Sequence, residues 1–364
     1  MYCYRRVLAM SYISNSHKTY LYQMQLIEFR EEGLYVPQAD VYIDPWKPVN
    51  KAFITHGHSD HSRYGNKSYV CTHAALPVIK HRLGSHINAK GINYGEEFSV
   101  NGVKFSFHPA GHIIGSAQIR VEYKGEVWVA SGDYKTTSDG VSENFESIKC
   151  HSFITESTFG LPVFKWKPQS DVMDEINDWW RTNKEQGRVS VLAAYSLGKA
   201  QRIINNVDHS IGKLFTHGAV ENVNEVIRRQ GVHLHETTRV VQGQKPSLYE
   251  GSLVIAPPSA VDSAWSKKFK DFSSGIASGW MAVRGTRRRR SADRGFILSD
   301  HADWDGLVGA IKATEAERIY VTHGYTDIFS KYLTSIGYYS AIVDTEYSGD
   351  EPNAVSAVGE EEGN

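Results

Sequence analysis

Short apolar runs separated by turns fill the chain from residue 25 to about 160. VYI (41–43), AFIT (52–55), VKFSF (103–107), AQIRVEY (117–123), EVWVAS (126–131) and SFIT (152–155) are rich in β-branched and aromatic residues and predict strands. From about 161 the period changes. Helical spacing alternates with buried-strand runs: SDVMDEINDWWRTNKEQ precedes VSVLAAY, GKAQRIINNV precedes KLFTH, and ENVNEVIRRQ precedes SLVIAPP. That alternation predicts a parallel α/β unit. GFILS (295–299) and RIYVT (318–322) then return as strands around a helix at DWDGLVGAIKAT. The pattern divides the chain into an N-terminal extension (1–23), a β-rich domain (24–160), an α/β insertion (161–290), the return of the β-rich domain (291–349) and a polar, disordered tail (350–364). Periodicity sharpens at Met24, a candidate start.

Charge refines this division. The net charge of −1 conceals seven acids and no base in residues 344–364, so the body carries about +6. A mildly basic body is compatible with a polyanionic partner. Cys3, Cys71 and Cys150 form no CxxC pair, which argues against a disulfide framework or a thiolate zinc site. No run approaches the roughly 18 apolar residues of a membrane span, and no apolar leader follows Arg5 and Arg6. A cytoplasmic protein with no membrane contact is expected.

The candidate chemistry lies at strand ends. VYI runs into Asp44, AFIT into His56, VKFSF through His108 to His112, EVWVAS to Asp133, SFIT to Glu156, GFILS to Asp300 and His301, and RIYVT to His323. Packed sheets whose ends converge place such residues around one site. The densest cluster is THGHSDH. His56 and His58 alternate and can reach one metal; Asp60 and His61, one turn on, can face another. Imidazole with carboxylate suits Zn²⁺, and also Mn²⁺ or Fe²⁺.

HGHSDH, GHIIGSA, SGD and Asp44 resemble the metallo-β-lactamase superfamily. TESTFG (155–160), LSDHAD (298–303) and VTHG (321–324) resemble the further motifs of its nucleic-acid-processing β-CASP branch. GLYVPQADVYIDPWKPV, YSLGKAQRI, APPSA, SGWMAVRGTRRRR and RGFILSDHADW are similar to the bacterial DNA-ligase-associated exonuclease family, over about residues 25–345. The resemblance implies a metallo-β-lactamase αββα sandwich with an inserted α/β β-CASP domain. It implies two divalent cations, Zn²⁺ or Mn²⁺, with His56, His58 and His112 on the first, Asp60, His61 and His323 on the second, Asp133 bridging, and Asp44 orienting a ligand imidazole. His323 resembles the polyadenylation-factor nuclease and ribonuclease J branches more than the Artemis-like branch, which lacks it.

Two cations about 3.5–4 Å apart suit phosphodiester hydrolysis by a bridging hydroxide. His301 is the candidate general acid, tuned by Glu156; a buried structural pair is the alternative. Ser157, Thr158 and Ser299 lack a His–Asp pair to activate them. Arg284, Arg287, Arg288, Arg289, Arg290 and Arg294 form a candidate phosphate-binding run, with Trp280 as a stacking platform. Ser196 and Lys199, at a strand-to-helix turn, are further candidate nucleic-acid contacts. The expected function is a DNA exonuclease acting in repair on single-stranded ends, beside an ATP-dependent DNA ligase and a helicase. An RNA-processing nuclease of the same fold is the close alternative, and a small-molecule metallo-hydrolase a more distant one.

Overall fold

The computed structural model describes residues 25–283 and 292–347. The extension 1–23, the tail from 350, and Arg284, Arg287, Arg288, Arg289 and Arg290 lie outside the described residues.

Three sheets organise the chain. The first contains β1 (Glu28–Arg30), β2 (Gly33–Val36), β3 (Val41–Ile43), β4 (Ala52–Phe53), β5 (Tyr69–Thr72) and β6 (Ala89–Ile92), in that order. β1 to β3 pair antiparallel and β3 to β6 parallel. The second contains β7 (Phe98–Val100), β8 (Val103–Pro109), β9 (Ala117–Tyr123), β10 (Glu126–Ala130), β11 (Ser152–Ser157), β18 (Arg318–Gly324) and β19 (Tyr339–Ile342), in the order β19-β18-β11-β10-β9-β8-β7. β7 to β10 form an antiparallel meander; β10, β11, β18 and β19 run parallel.

The period-2 alternation of these strands explains why the two sheets face each other. In AQIRVEY, Ala117, Ile119 and Val121 point into a shared core with Leu34, Val41, Ile43, Phe53, Phe105 and Trp128. On the opposite face, Arg120 bonds Glu122 at 2.6 Å. That outer face carries Val129, Phe153, Ile319 and Val321, covered by the helices Trp304–Thr314 and Thr326–Ser335 through Leu307, Ile311, Phe329 and Leu333. The helix Leu76–Leu83 covers the outer side of the first sheet through Ile79 and Leu83. The layers are therefore helix, sheet, sheet, helix.

The third sheet is parallel throughout. It contains β12 (Val189–Ala193), β13 (Leu214–Thr216), β14 (Thr238–Arg239), β15 (Leu253–Ala256), β16 (Phe272–Ala277) and β17 (Arg294–Phe296), in the order β14-β13-β15-β12-β16-β17. Both faces are covered, so the central strands β15 (LVIA) and β12 (VSVLA, broken only by Ser190) are near-continuously apolar rather than alternating. The helices Gln169–Glu185 and Lys199–Asn206 pack on one face through Ile176, Trp180, Ile203 and Ile204. Phe159, Phe164, Tyr249 and Trp280 pack on the other. GFILS differs from its expected place: Arg294–Phe296 pairs with β16 at the edge of the third sheet, not with the metal-competent strands. An apolar run identifies a strand but not its partner. No described helix is long and apolar enough to cross a membrane.

Candidate metal centre

Parallel pairing gathers the polar strand ends. β10, β11 and β18 are neighbours, so Asp133, Glu156 and His323 emerge side by side. β3 and β4 are parallel neighbours in the facing sheet and deliver Asp44 and His56 to the same end. Asp44 has φ 42°, left-handed and uncommon for a residue with a side chain. Its N–H donates to Phe53 O at 2.9 Å and its carbonyl accepts from Tyr347 O–H at 3.0 Å. Gly132 has φ 56°, and a Cβ there would stand 2.6 Å from Thr55 Oγ1, so only glycine lets Asp133 enter this close.

Hydrogen bonds settle the tautomer of every imidazole in the centre. His58 Nε2 donates to Leu197 O at 3.2 Å and His112 Nδ1 to Asp300 O at 2.8 Å, because a carbonyl only accepts. His61 Nδ1 donates to Asp44 Oδ2 at 2.7 Å. Thr55 Oγ1 gives its proton to Asp44, so it accepts from His56 Nδ1 at 3.0 Å. Thr322 Oγ1 donates to Thr155 O, so it accepts from His323 Nδ1 at 3.2 Å. Five rings thus turn their other nitrogen inward: Nδ1 of His58, and Nε2 of His56, His61, His112 and His323.

These nitrogens converge on Asp133. Its Oδ2 lies 3.5 Å from His56 Nε2, 3.5 Å from His61 Nε2 and 3.8 Å from His112 Nε2; its Oδ1 lies 2.9 Å from His323 Nε2. His58 Nδ1 and His112 Nε2 are 3.0 Å apart. Two lone pairs at that separation repel unless a cation lies between them. Two imidazoles sharing a tetrahedral zinc at about 2.0–2.1 Å would be about 3.3 Å apart. His56 Nε2, His61 Nε2 and His323 Nε2 are buried without a hydrogen-bond partner. Three groups of possible ligand atoms result among the described residues, His56/His58/His112/Asp133, His61/Asp133/His323 and Asp133/Glu156/His301, with Asp133 common to all. The donor set fits divalent cations.

Electrostatics point the same way. Burial, with the neighbouring imidazole His61, pushes His56 well below the ordinary histidine value; burial and His301 do the same to His112. Both rings are therefore neutral, the form that ligates. Burial opposes charge on His61, yet Asp133, Asp60 and the hydrogen bond to Asp44 hold it well above the ordinary value. Asp133 is itself held far down by His61 and His323 against burial. The pocket calls for positive charge beside two carboxylates.

His301 Nδ1 bonds Glu156 at 2.9 and 3.1 Å, and Glu156 Oε1 accepts the Tyr134 N–H at 2.7 Å. The His301 ring lies 4.6 Å from that of His112. Asp60 sits beside the second group, its Oδ2 3.9 Å from His61 Nε2, but outside it.

The candidate nucleic-acid contacts fare differently. Lys199 is fully buried, its Nζ 3.4 Å from Asp300, rather than at a surface. Ser196 lies on the turn before it, where the Gly198 N–H already donates to Gln201 Oε1 at 2.7 Å. That helix start is engaged by its own chain. Trp280 packs 5.0 Å from Phe159 and is buried, so its ring is not an open platform. Arg294 is exposed.

Sequence reasoning missed Tyr347, which stacks on His61 at 4.3 Å, and the buried cations Lys135 and Arg202. Arg202 donates to Ser299 O at 2.6 Å and lies 3.3 Å from Asp300; Lys199 and Arg202 hold Asp300 at about 2 despite its burial. Only the polar residues flanking motifs hinted at these, without indicating which faced inward.

No family model matches the chain. A probable DNA ligase of Opitutus terrae is 27% identical over 308 residues, 84% of this chain and 30% of that protein. An RNase J-like protein of Methanocaldococcus jannaschii is 29% identical over 202 residues, 46% of each chain. The cleavage and polyadenylation specificity factor 73 of Drosophila melanogaster is 23% identical over 194 residues, 44% of this chain and 28% of that one. These similarities support the β-CASP branch of the metallo-β-lactamase superfamily for this chain. The chain spans about a third to a half of the length of these relatives. A protein of unknown function from Enterococcus faecalis shares the fold, with TM-score 0.52 and 13% identity over 74% of each chain. The β-CASP motifs TESTFG, LSDHAD and VTHG are those that carry Glu156, His301 and His323 to the centre.

Proposed function

We propose that this chain is a dinuclear metal-dependent nuclease, a DNA exonuclease acting on single-stranded ends. The carrying observation is Asp133, one carboxylate common to the His56/His58/His112 group and the His61/His323 group of ligand atoms. In this reading His56, His58 and His112 hold one cation, His61, His323 and Asp60 the other, and Asp133 bridges. When bound, two such cations, Zn²⁺ or Mn²⁺, supply positive charge to an attacked phosphodiester and lower the pKa of water towards about 7. Asp44 accepts from His61 and, through Thr55, fixes His56, so both rings keep Nε2 inward. His301 is oriented through Nδ1 by Glu156 and would hand a proton from its ring to the leaving oxygen. The helix–sheet–sheet–helix layers, interrupted between β11 and β18 by the third sheet, support the αββα sandwich with an inserted β-CASP domain.

The motifs shared with the DNA-ligase-associated exonuclease family, and the ligase name of the Opitutus relative, support DNA as substrate and an ATP-dependent DNA ligase as a pathway partner. A cytoplasmic repair role follows from that reading. A second reading, RNA processing, is favoured by the relatives named RNase J-like and endoribonuclease. Matched end-labelled DNA and RNA strands, incubated with Zn²⁺ or Mn²⁺, separate the two. DNA shortened from its ends supports the first; RNA cleavage with intact DNA rejects it.

A further inference from the structure

A cavity of about 290 Å³ opens beside His301, bounded by Lys135, Trp166, Val172, Arg202 and Leu298. Its two buried cations differ. Arg202 is matched: Nε donates to Gln169 at 2.6 Å, and Nη1 meets Ser299 O and Asp300. Lys135 is 2% exposed, and its Nζ donates to the Thr137 carbonyl, with no carboxylate within ion-pairing distance among the described residues. Asp139, the acid in the following loop, is committed to the N–H groups of Val141 and Ser142 at 2.8 and 2.7 Å. Burial and Arg202 lower the Lys135 ammonium to about 8, and Asp139 and Asp300 attract it only from beyond ion-pairing distance, so an anion in the cavity would hold it charged.

The indole of Trp166 is held at both ends. Its Nε1 donates to His301 O at 3.0 Å and its backbone N–H to Asp303 at 2.9 Å. A fixed indole that lines the cavity together with apolar Val172 and Leu298, and is backed by Phe159 at 4.8 Å, suits a flat heterocycle. The volume lies near the lower end for ligand pockets, room for one nucleotide and not two.

We propose that this cavity receives the terminal nucleotide of the strand, its phosphate on Lys135 and its base against Trp166. The inference rests on the nuclease reading for the identity of the strand. It deepens that reading, because a pocket one nucleotide deep beside His301 favours removal of single nucleotides over internal cutting.

The test uses the full chain stripped of metal by chelation, so that cleavage plays no part. Deoxyadenosine 5′-monophosphate, deoxyadenosine and inorganic phosphate are titrated by calorimetry and tryptophan fluorescence. The monophosphate should bind at least about tenfold tighter than either fragment. Lys135→Met should weaken it about tenfold or more with the melting temperature retained; Lys135→Gln serves if the first variant is unstable. Trp166→Leu should weaken the monophosphate and leave phosphate binding unchanged. Equal binding of monophosphate and phosphate, or monophosphate affinity unaltered in both Lys135 variants, overturns the pocket. A chain that cleaves DNA without binding the monophosphate defeats the pocket alone. One that binds it through Lys135 but never cleaves defeats the nuclease reading alone.

Discussion

His58 and His112 are aimed by chain that surrounds the third sheet, whereas His61 and His323 are aimed from within the first two. Leu197, whose carbonyl holds His58, follows β12; Asp300, whose carbonyl holds His112, follows β17. Asp300 is fastened in turn by Lys199 and Arg202 on the helix Lys199–Asn206. His61 instead leans on Asp44 and Tyr347, and His323 on Thr322. One half of the centre therefore depends on how the insertion is seated, and the other does not. Outer hydrogen bonds of this kind set ring orientation and ligand basicity, so the two halves should respond differently to the same kind of damage.

Asp133→Ala is the largest expected effect, because it removes the carboxylate common to both halves. Metal content should fall from two towards zero, and turnover by roughly 10⁴-fold or more; elemental analysis retaining one equivalent would break the symmetry assumed for Asp133. His301→Ala touches neither the His56/His58/His112 group nor the His61/His323 group. It should keep both metals and slow turnover by roughly 10²–10⁴-fold; loss of metal would show that His301 is a ligand and not an acid. Lys199→Met with Arg202→Met leaves the Asp300 carboxylate buried and unpaired, a destabilisation of about 3–5 kcal/mol. Calorimetric metal titration should then show one site weakened about 10–100-fold and the other unchanged. Equal weakening of both would abolish the contrast between the halves. Tyr347→Leu is the smallest and opposite probe: it removes the ring stacked on His61, and should weaken the His61/His323 site by about tenfold, with a smaller loss at the other through Asp44, Thr55 and His56.

Much of this centre was legible before folding. The residues that end VYI, AFIT, EVWVAS and RIYVT meet because each run is a strand, and parallel neighbours end on the same side. The error at GFILS and the misjudged Lys199 have a common origin. Whether an apolar run joins one sheet or another, and whether a lysine faces solvent or an acid, depends on other segments: β17 pairs with β16, about twenty positions earlier, and Lys199 meets Asp300, about a hundred later. Lys199 meets Asp300 only because Gly198 turns the chain, with φ 93°, against Ile113.

Local pattern alone therefore determined the strands, the change of period that marks the insertion, and the metal-competent side chains waiting at strand ends, because side-chain alternation and residue chemistry are properties of neighbours in sequence. Tertiary structure alone decided which nitrogen of each histidine faces inward, which cations are matched, and that Lys135 is not. Those outcomes turn on carbonyls and carboxylates delivered by other segments, and in a buried site a single hydrogen bond or missing counter-ion dictates what a side chain can do.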